Sequence, residues 1–163
     1  MNFLVRKSYK MNIFKIIAIV GIFCAFVNGN DFTKQRVITV EKDTITLNSI
    51  MQNSQPKMLY FWATWCHVCA KETPKMLKLS DEFPKVQFIP VAYTESPVKM
   101  KSFIQKMKYK LNTYIDFTGD VFNEFAVKAT PTVVILDHNN HVVFNGYKST
   151  RTYKKLLNKL IEK

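Results

Sequence analysis

Two cysteines, Cys66 and Cys69, lie two residues apart in the stretch YFWATWCHVCAKETP, directly after an aromatic-rich apolar run. Cysteines at this spacing can hold a metal ion, close a short disulfide loop or exchange electrons with another protein's disulfide. Zinc commonly takes four ligands, and the chain has no second close cysteine pair; His138 and His141 flank a predicted turn, and their spacing alone makes no site. A bridge that closes so short a loop contributes little stability. The pattern favours a redox-active dithiol, with a metal site and an inert bridge as alternatives.

The dithiol falls at a predicted junction between a buried strand and a helix. The continuous apolar run KMLYFWAT (57–64) is typical of a buried parallel strand, and the residues from Cys66 to about Phe83 predict a helix. A helix N-terminus carries unpaired N–H groups and partial positive charge, and both favour a thiolate over a thiol. Because the thiolate is the reacting species in disulfide exchange, this junction suits a reactive Cys66. The second cysteine, one turn further along, can attack a mixed disulfide and release the partner.

The first half of the predicted domain alternates strands with helices. RVITVEKDTITL predicts an edge hairpin that turns at 42–43, and NSIMQN predicts a single helical turn capped by Asn48. VQFIPVAY (86–93) predicts a second buried strand after the long helix. A further helix follows, with Ser96 as its N-cap and Pro97 at its first position.

The second half ends in a hairpin and a helix. TYIDF predicts a short strand, and DVFNEFA predicts a short helix capped by Asp120. PTVVILD (131–137) predicts a third buried strand, which a tight turn joins to its antiparallel partner HVVFNGY. Thr150 is the predicted cap of a final amphipathic helix. This order predicts one α/β domain with a mixed central sheet, helices on both faces and an N-terminal β-hairpin.

The N-terminus has the parts of a secretory signal. A basic region ends at Lys15, an apolar region covers residues 16–27, and the small residues Val27 and Gly29 precede a plausible cut before Asn30. Twelve apolar residues are fewer than the roughly 20 that span a bilayer, but upstream residues would lengthen an uncleaved anchor. Cleavage and retention are therefore both open.

Three segments are predicted along the chain. Residues 1–29 are a signal peptide or an N-terminal membrane anchor, residues 30–36 are a polar linker, and residues 37–163 are the folded domain. Export would place the domain in a compartment where cysteine pairs oxidise and stay oxidised. The predicted location is the periplasm or the outer face of the cytoplasmic membrane.

The formal net charge is +12, and lysine supplies nearly all of it. A basic domain can bind nucleic acid or an anionic surface, but the lysines are scattered and the sequence contains no nucleic-acid-binding motif. No nucleic-acid partner is therefore expected. One lysine-rich segment is predicted to be a solvated helix face, with docking to acidic partners or anionic lipid as the alternative; its members are Lys99, Lys101, Lys106, Lys108 and Lys110.

The segment FWATWCHVCAKETP resembles the active-site segment of the thioredoxin superfamily. It is most similar to the exported, membrane-associated branch of TlpA/ResA/DsbE-like thiol:disulfide oxidoreductases, several of which serve cytochrome c maturation. The matching features are the run FWA, Trp65 before the first cysteine, Glu72 three residues after the second and Pro74 five after it. ATPTVVILD, with Pro131, matches the family's cis-proline strand, and the extra length before it fits that branch's inserted helix. The resemblance covers roughly residues 37–163 and implies a thioredoxin-like fold.

The resemblance implies a role for each matching residue. Cys66 would be the attacking thiolate and Cys69 the buried resolving thiol. Pro131 would be cis and would face the disulfide, and Thr130 would present its backbone to a bound substrate strand. The dithiol itself would carry the electrons, so neither an organic cofactor nor a metal is expected.

One position departs from the thioredoxin pattern. Tyr60 occupies the place where thioredoxins proper carry a buried aspartate, so that acid cannot assist proton transfer here. Glu72 is the expected substitute, because an acid at this position of the TlpA/ResA-like branch lies near the dithiol and could accept a proton from Cys69. The alternative for Glu72 is a solvated glutamate favoured by the helix dipole in the first turn.

Two residues beside the cysteines are expected to tune the reaction. His67 could stabilise the Cys66 thiolate and make the pair more oxidising; its alternative is an exposed loop residue. Trp65 is expected to shield the dithiol and to line a docking surface, whereas Trp62 is expected in the core.

The sequence therefore predicts an exported thiol:disulfide oxidoreductase, first of all a reductase of protein disulfides of the cytochrome c maturation kind. Its partners would be proteins that bear disulfides or dithiols, together with a membrane protein that donates or accepts electrons. The domain is expected to be a monomer. The alternatives are a DsbA-like oxidase, a metal-binding assembly chaperone that uses Cys66, Cys69 and a histidine, and a docking module without redox activity.

Overall fold

A computed structural model describes residues 32, 34–93, 96–108, 110 and 112–162. The predicted leader, residues 1–29, lies outside these residues. Within the described part the strands are β1 (Arg36–Ile38), β2 (Thr44–Thr46), β3 (Lys57–Trp62), β4 (Gln87–Tyr93), β5 (Tyr114–Asp116), β6 (Thr132–Leu136) and β7 (Val142–Gly146). The helices are α1 (Leu47–Ile50), α2 (His67–Glu82), α3 (Pro97–Met107), α4 (Asp120–Glu124) and α5 (Thr150–Ile161). The predicted order of elements is confirmed.

The strands form a single mixed sheet in the order β2-β1-β5-β4-β3-β6-β7. β3 pairs with β4 in parallel and with β6 antiparallel, and β4 pairs with β5 in parallel. The β1–β2 hairpin adds to one edge and β7 to the other. The prediction of a mixed sheet with an N-terminal hairpin is therefore confirmed, and β3 lies at its centre.

β3 is apolar along its length except at its first residue, Lys57. All six of its residues are buried, and alternate side chains point to opposite faces of the sheet. Tyr60 and Trp62 belong to a cluster with residues of α2, α3 and α5, whereas Leu59 and Phe61 belong to a cluster with residues of α1 and α4. Helices cover both faces, which favours apolar residues along the strand. The exception, Lys57, is buried, and its Nζ donates to two backbone carbonyl oxygens of the preceding loop at 2.6 and 2.7 Å.

Phe32 extends the packed domain beyond the predicted boundary. It falls in the segment 30–36 that the sequence predicts as a linker, yet it is fully buried, with its ring centroid 5.4 Å from that of Phe125. Its carbonyl accepts a hydrogen bond of 3.3 Å from the N–H of Asn48. A single aromatic residue in a polar segment has no periodic partner, which is why the sequence pattern does not show it.

Two predicted helix caps are wrong by one or two residues, and one is confirmed. α1 is capped by Thr46, whose hydroxyl accepts from the N–H of Ser49 at 3.2 Å, and not by Asn48. Thr150 is the first residue of α5, and the preceding residue is the N-cap. The predicted Ser96 cap of α3 is confirmed, since its hydroxyl accepts from the N–H of Lys99.

The cap of α4 comes from the end of the preceding strand. The buried carboxylate of Asp116 accepts from the N–H groups of Gly119 and Phe122, each at 2.9 Å. Asp120, the predicted cap, instead lies in the first turn. Burial raises the pKa of Asp116, and the backbone N–H groups partly offset that rise. The backbone of Gly119 has φ +83°, a conformation that glycine adopts readily, and it lets the chain turn around the carboxylate.

His138 joins three separate parts of the chain. Its Nδ1 lies 2.7 Å from the carbonyl oxygen of Ser54, and its Nε2 lies 3.0 Å from that of Leu160 at the end of α5. A carbonyl can only accept, so the two contacts together favour the doubly protonated, charged form of the imidazole. These two bonds raise the pKa of His138. The sequence predicts only a turn residue here.

Candidate active site

Cys66 occupies the N-cap of α2. β3 ends at Trp62 and α2 begins at His67, so the dithiol lies at the strand-to-helix junction that the sequence predicts. The Cys66 sulfur accepts a hydrogen bond of 3.1 Å from the N–H of Cys69. At most helices a serine or aspartate oxygen fills this place. Here the helix N-terminus directs its N–H groups and positive dipole end at sulfur, which favours the thiolate.

The two cysteines are joined by a disulfide, with 5.2 Å between their Cα atoms. They differ in access to solvent, because 8% of Cys66 is exposed and only 1% of Cys69. Disulfide exchange requires a sulfur of the partner to come into direct contact with a cysteine sulfur of this protein. An incoming partner can therefore reach Cys66 more readily than Cys69.

The loop before β6 lies against the dithiol. The peptide bond between Thr130 and Pro131 is cis, as the resemblance implies, and the carbonyl oxygen of Thr130 lies 3.5 Å from the Cys66 sulfur. β6 runs antiparallel to β3, with Thr132 opposite Phe61. The residues that precede β6 therefore meet the residues that follow β3, and sheet register brings the two loops together.

Beneath Cys69 lie two buried hydroxyl groups. The Tyr60 hydroxyl lies 3.1 Å from Oγ1 of Thr73, and Thr73 donates to the Cys69 carbonyl oxygen at 2.8 Å. Both side chains are 1% exposed or less. The position where the resemblance places an aspartate in other thioredoxins thus carries a neutral group with a hydroxyl partner. Thr73 was not predicted as a site residue. It lies four residues after Cys69 and therefore on the same face of α2.

Glu72 follows Cys69 by one turn of α2, and its carboxylate has neighbours on two sides, Lys75 and Tyr147. Only 12% of its side chain is exposed, and its Oε1 lies 2.7 Å from Nζ of Lys75. Tyr147, which follows β7, shares a hydrogen bond with the carboxylate; partial burial and the Glu72 charge raise the pKa of Tyr147. The Glu72 hydrogen bond and charge likewise raise the pKa of Lys75. Glu72 is therefore more enclosed than a freely solvated first-turn glutamate.

Trp65 and His67 face outward. Trp65 is 64% exposed, His67 is exposed at the first position of α2, and Val68 between the cysteines is 49% exposed. Trp62, by contrast, is buried and donates through Nε1 to the Thr113 hydroxyl at 3.0 Å, as expected for a core residue. The rim of the dithiol is thus an exposed and largely apolar surface.

The described residues hold no group of three or more His, Cys, Asp or Glu side chains that could bind a metal ion. In the same part of the chain, no helix combines the length and the apolar character that crossing a bilayer requires.

The family model of the AhpC/TSA family matches residues 28–145. This chain belongs to the AhpC/TSA family. Two relatives are named thioredoxin-like proteins. One, from Haemophilus influenzae, is 28% identical over 116 residues, covering 65% of this chain and 68% of that protein. The other, YneN of Bacillus subtilis, is 31% identical over 118 residues, covering 69% of this chain and 68% of that protein.

A third relative carries a more specific name. The thiol-disulfide oxidoreductase ResA of Bacillus thuringiensis is 27% identical over 106 residues. The match covers 63% of this chain and 61% of ResA, so it spans less than two thirds of that relative. The resemblance to ResA-like proteins is confirmed at the level of the family.

Solved structures confirm the thioredoxin-like fold. The structure of MTB dsbF superimposes with a TM-score of 0.69 and 24% identity, covering 81% of this chain and 98% of that one. A secreted Mycobacterium tuberculosis disulfide oxidoreductase homologous to E. coli DsbE gives a TM-score of 0.66 and 21% identity, covering 80% and 100%. At these identities the likeness concerns the fold, into which this AhpC/TSA member places its own dithiol.

Proposed function

We propose that this protein is a thiol:disulfide oxidoreductase of the ResA/DsbE type that acts on protein disulfides through Cys66 and Cys69. One observation carries the proposal. The Cys66 sulfur is the N-cap of α2, accepts the Cys69 N–H and is the more exposed member of a disulfide-bonded pair. These features favour a thiolate at the sulfur that a partner can reach.

The reaction is a two-step exchange of two electrons. In the reduced protein the Cys66 thiolate attacks one sulfur of the partner's disulfide, forms a mixed disulfide and releases the partner's other sulfur as a thiolate. Cys69, after losing its proton, attacks the Cys66 sulfur and releases the partner's remaining thiolate. The partner is reduced and the Cys66–Cys69 disulfide is formed. No step of this exchange calls for an organic cofactor or a metal.

The proton of Cys69 needs an acceptor, and we assign that role to Glu72. Tyr60 and Thr73 supply hydroxyl groups beneath Cys69 but no carboxylate. Glu72 is the partly enclosed acid one turn further along α2, and its contacts with Lys75 and Tyr147 hold the carboxylate in place. Thr130 and Pro131 would present their backbone to a bound partner strand beside the dithiol.

The proposed direction is reduction outside the cytoplasm. The predicted leader supports export, and a reductase in an oxidising compartment would draw its electrons from a membrane protein, as in cytochrome c maturation. The protein would act as a monomer, either in the periplasm or at the outer face of the cytoplasmic membrane. His67, exposed beside Cys66, is the feature that would shift the pair towards oxidation.

Two measurements on one purified sample test the proposal. The redox potential of the Cys66–Cys69 pair, measured against glutathione or dithiothreitol buffers, should lie near −270 mV for a reductase and near −120 mV for an oxidase, roughly the values of thioredoxin and DsbA. Insulin reduction should depend on Cys66 and disappear in Cys66→Ser. Equal turnover by the wild type and Cys66→Ser would show that the dithiol is not the reacting group.

A further inference from the structure

Two grooves meet at the exposed side chain of Trp65. The first, called here the cis-proline groove, has a volume of about 300 Å³ and reaches from Trp65 to the loop before β6. Its lining includes Trp65, Tyr93, Phe122, Val127, Lys128 and Thr130. Because Thr130 also lies against the Cys66 sulfur, a chain that reacts with Cys66 would enter this groove. The aromatic lining favours an apolar side chain.

The second, called here the α3 groove, has a volume of about 620 Å³ and runs from Trp65 along helix α3. Its lining includes Trp65, Val98, Lys99, Phe103 and Lys106. Lys99 and Lys106 are seven residues apart, two helical turns, and so lie on one side of α3. The lysine-rich segment is therefore not uniform, because two of its members line the groove that starts at Trp65, the residue before Cys66.

The charged side chains that line the two grooves are all basic. Lys99, Lys106 and Lys128 line the two grooves, and none of the described residues that line either groove is acidic. Glu72, the acid next to the dithiol in the chain, is already paired with Lys75.

A groove of about 730 Å³ on the far side of α3 provides a contrast. It is lined by Lys101 and Lys110 but also by Asp81, so cations and an acid are mixed there. Lys99 and Lys106 thus share their groove with no acidic residue, whereas Lys101 of the same helix shares its groove with Asp81.

We propose that the partner protein presents its reacting disulfide in an extended segment with an apolar side chain beside the cysteine and carboxylates flanking it. The inference rests on the proposed function, whose substrate class it narrows. The apolar side chain would fill the cis-proline groove, and the carboxylates would lie along the lysines. Charges at the rim of an interface mainly raise the association rate and select partners. The preference should therefore weaken as salt screens the lysines.

The test uses two peptides that share one disulfide and one apolar residue but differ in their flanks, aspartate in one and lysine in the other. The reduced protein should react with the acidic peptide about 10-fold faster at low ionic strength, and the ratio should fall towards 1 in roughly 0.5 M salt. The double variant Lys99→Gln/Lys106→Gln should lose most of this ratio. The matched control Lys101→Gln/Lys110→Gln changes the same number of charges at the remote groove and should keep it.

A third substrate, the small neutral hydroxyethyl disulfide, separates the two proposals. Failure to reduce it or either peptide would overturn the proposed function itself. Reduction of both peptides at equal rates, with hydroxyethyl disulfide also reduced, would overturn only the acidic-partner inference. The lysines could instead bind an anionic membrane, and sedimentation with phosphatidylglycerol vesicles tests this alternative. Vesicle binding that is lost in Lys99→Gln/Lys106→Gln, without a peptide preference, would assign the lysines to a membrane and overturn the inference.

Discussion

The space beneath the dithiol and the surface around it differ in burial and in charge. Beneath Cys69, the Tyr60 and Thr73 hydroxyls are buried, neutral and hydrogen-bonded. Around Cys66, the surface is exposed and apolar, and its charges are those of lysines such as Lys99. A partner therefore meets one sulfur, whereas the other reacts only from inside. Recognition and release can accordingly be altered separately.

The largest expected effect on turnover comes from Cys69→Ser, which removes the buried thiol of the inner region. Attack by Cys66 still proceeds, but no internal thiol releases the partner, so insulin turnover should fall by about 10³-fold or more. A mixed disulfide at Cys66 should accumulate and be visible by mass spectrometry after acid quenching. The matched variant Cys66→Ser leaves only the 1% exposed Cys69 and should form no such adduct. Equal adduct formation by the two variants would show that both sulfurs are accessible.

Glu72→Gln tests whether the Glu72 carboxylate belongs to the inner region, where it would accept the proton of Cys69. Loss of a proton acceptor should lower turnover about 10- to 100-fold near neutral pH and change the pH profile. Lys75→Met is the control, because it removes the ion pair and keeps the carboxylate. Equal losses in both variants would mean that Glu72 acts through its ion pair and not as the proton acceptor.

Thr73→Val probes the hydroxyls beneath Cys69 without changing side-chain shape. The variant removes the bond to the Cys69 carbonyl and the contact with Tyr60, so the free energy of unfolding should fall by about 1–2 kcal/mol. Denaturant unfolding of the oxidised protein measures it, and Thr73→Ser, which keeps the hydroxyl, should recover most of the loss. A Thr73→Val protein as stable as the wild type would show that these hydroxyls are not needed.

The smallest effect is expected at His138, which lies outside both regions. Its pKa is raised in the folded protein, so its contribution is complete below about pH 6.5 and is lost as the pH rises through the folded value. The Tm difference between wild type and His138→Gln should therefore be larger at pH 5.5 than at pH 8.5, with insulin turnover unchanged. Asp137 and Lys57 bear on this group with opposite signs. A Tm difference that is independent of pH would contradict a charged His138.

The order of elements was predictable because it depends on local patterns. The apolar runs of β3 and β4 mark strands buried on both faces, and Ser96 with Pro97 marks the start of α3. The position of the CxxC pair between β3 and α2 was predictable for the same reason, since strand, loop and helix follow one another in the chain.

What could not be predicted depends on partners far apart in sequence. The ring of His138 contacts the backbone of Ser54, which is 84 positions away in the sequence, and of Leu160, which is 22 positions away. No residue next to His138 in the sequence signals either contact. The grooves beside Trp65 combine loops after β3, β4 and β5, so their lysines look like a solvated helix face in the sequence. Asp116 caps α4 from the end of β5, whereas helix caps are predicted from residues directly next to the helix.

The burial of Phe32 has a mechanical consequence. The apolar part of the predicted leader ends at Val27, five residues before this buried residue, and a fully extended chain of that length reaches only about 17 Å. If the leader stays in the bilayer, this tether holds the start of the folded domain within about 17 Å of the hydrocarbon boundary. Such a short tether limits rotation and restricts the dithiol to partners presented at the same membrane surface. Cleavage before Asn30 would instead free the domain with two residues ahead of its core.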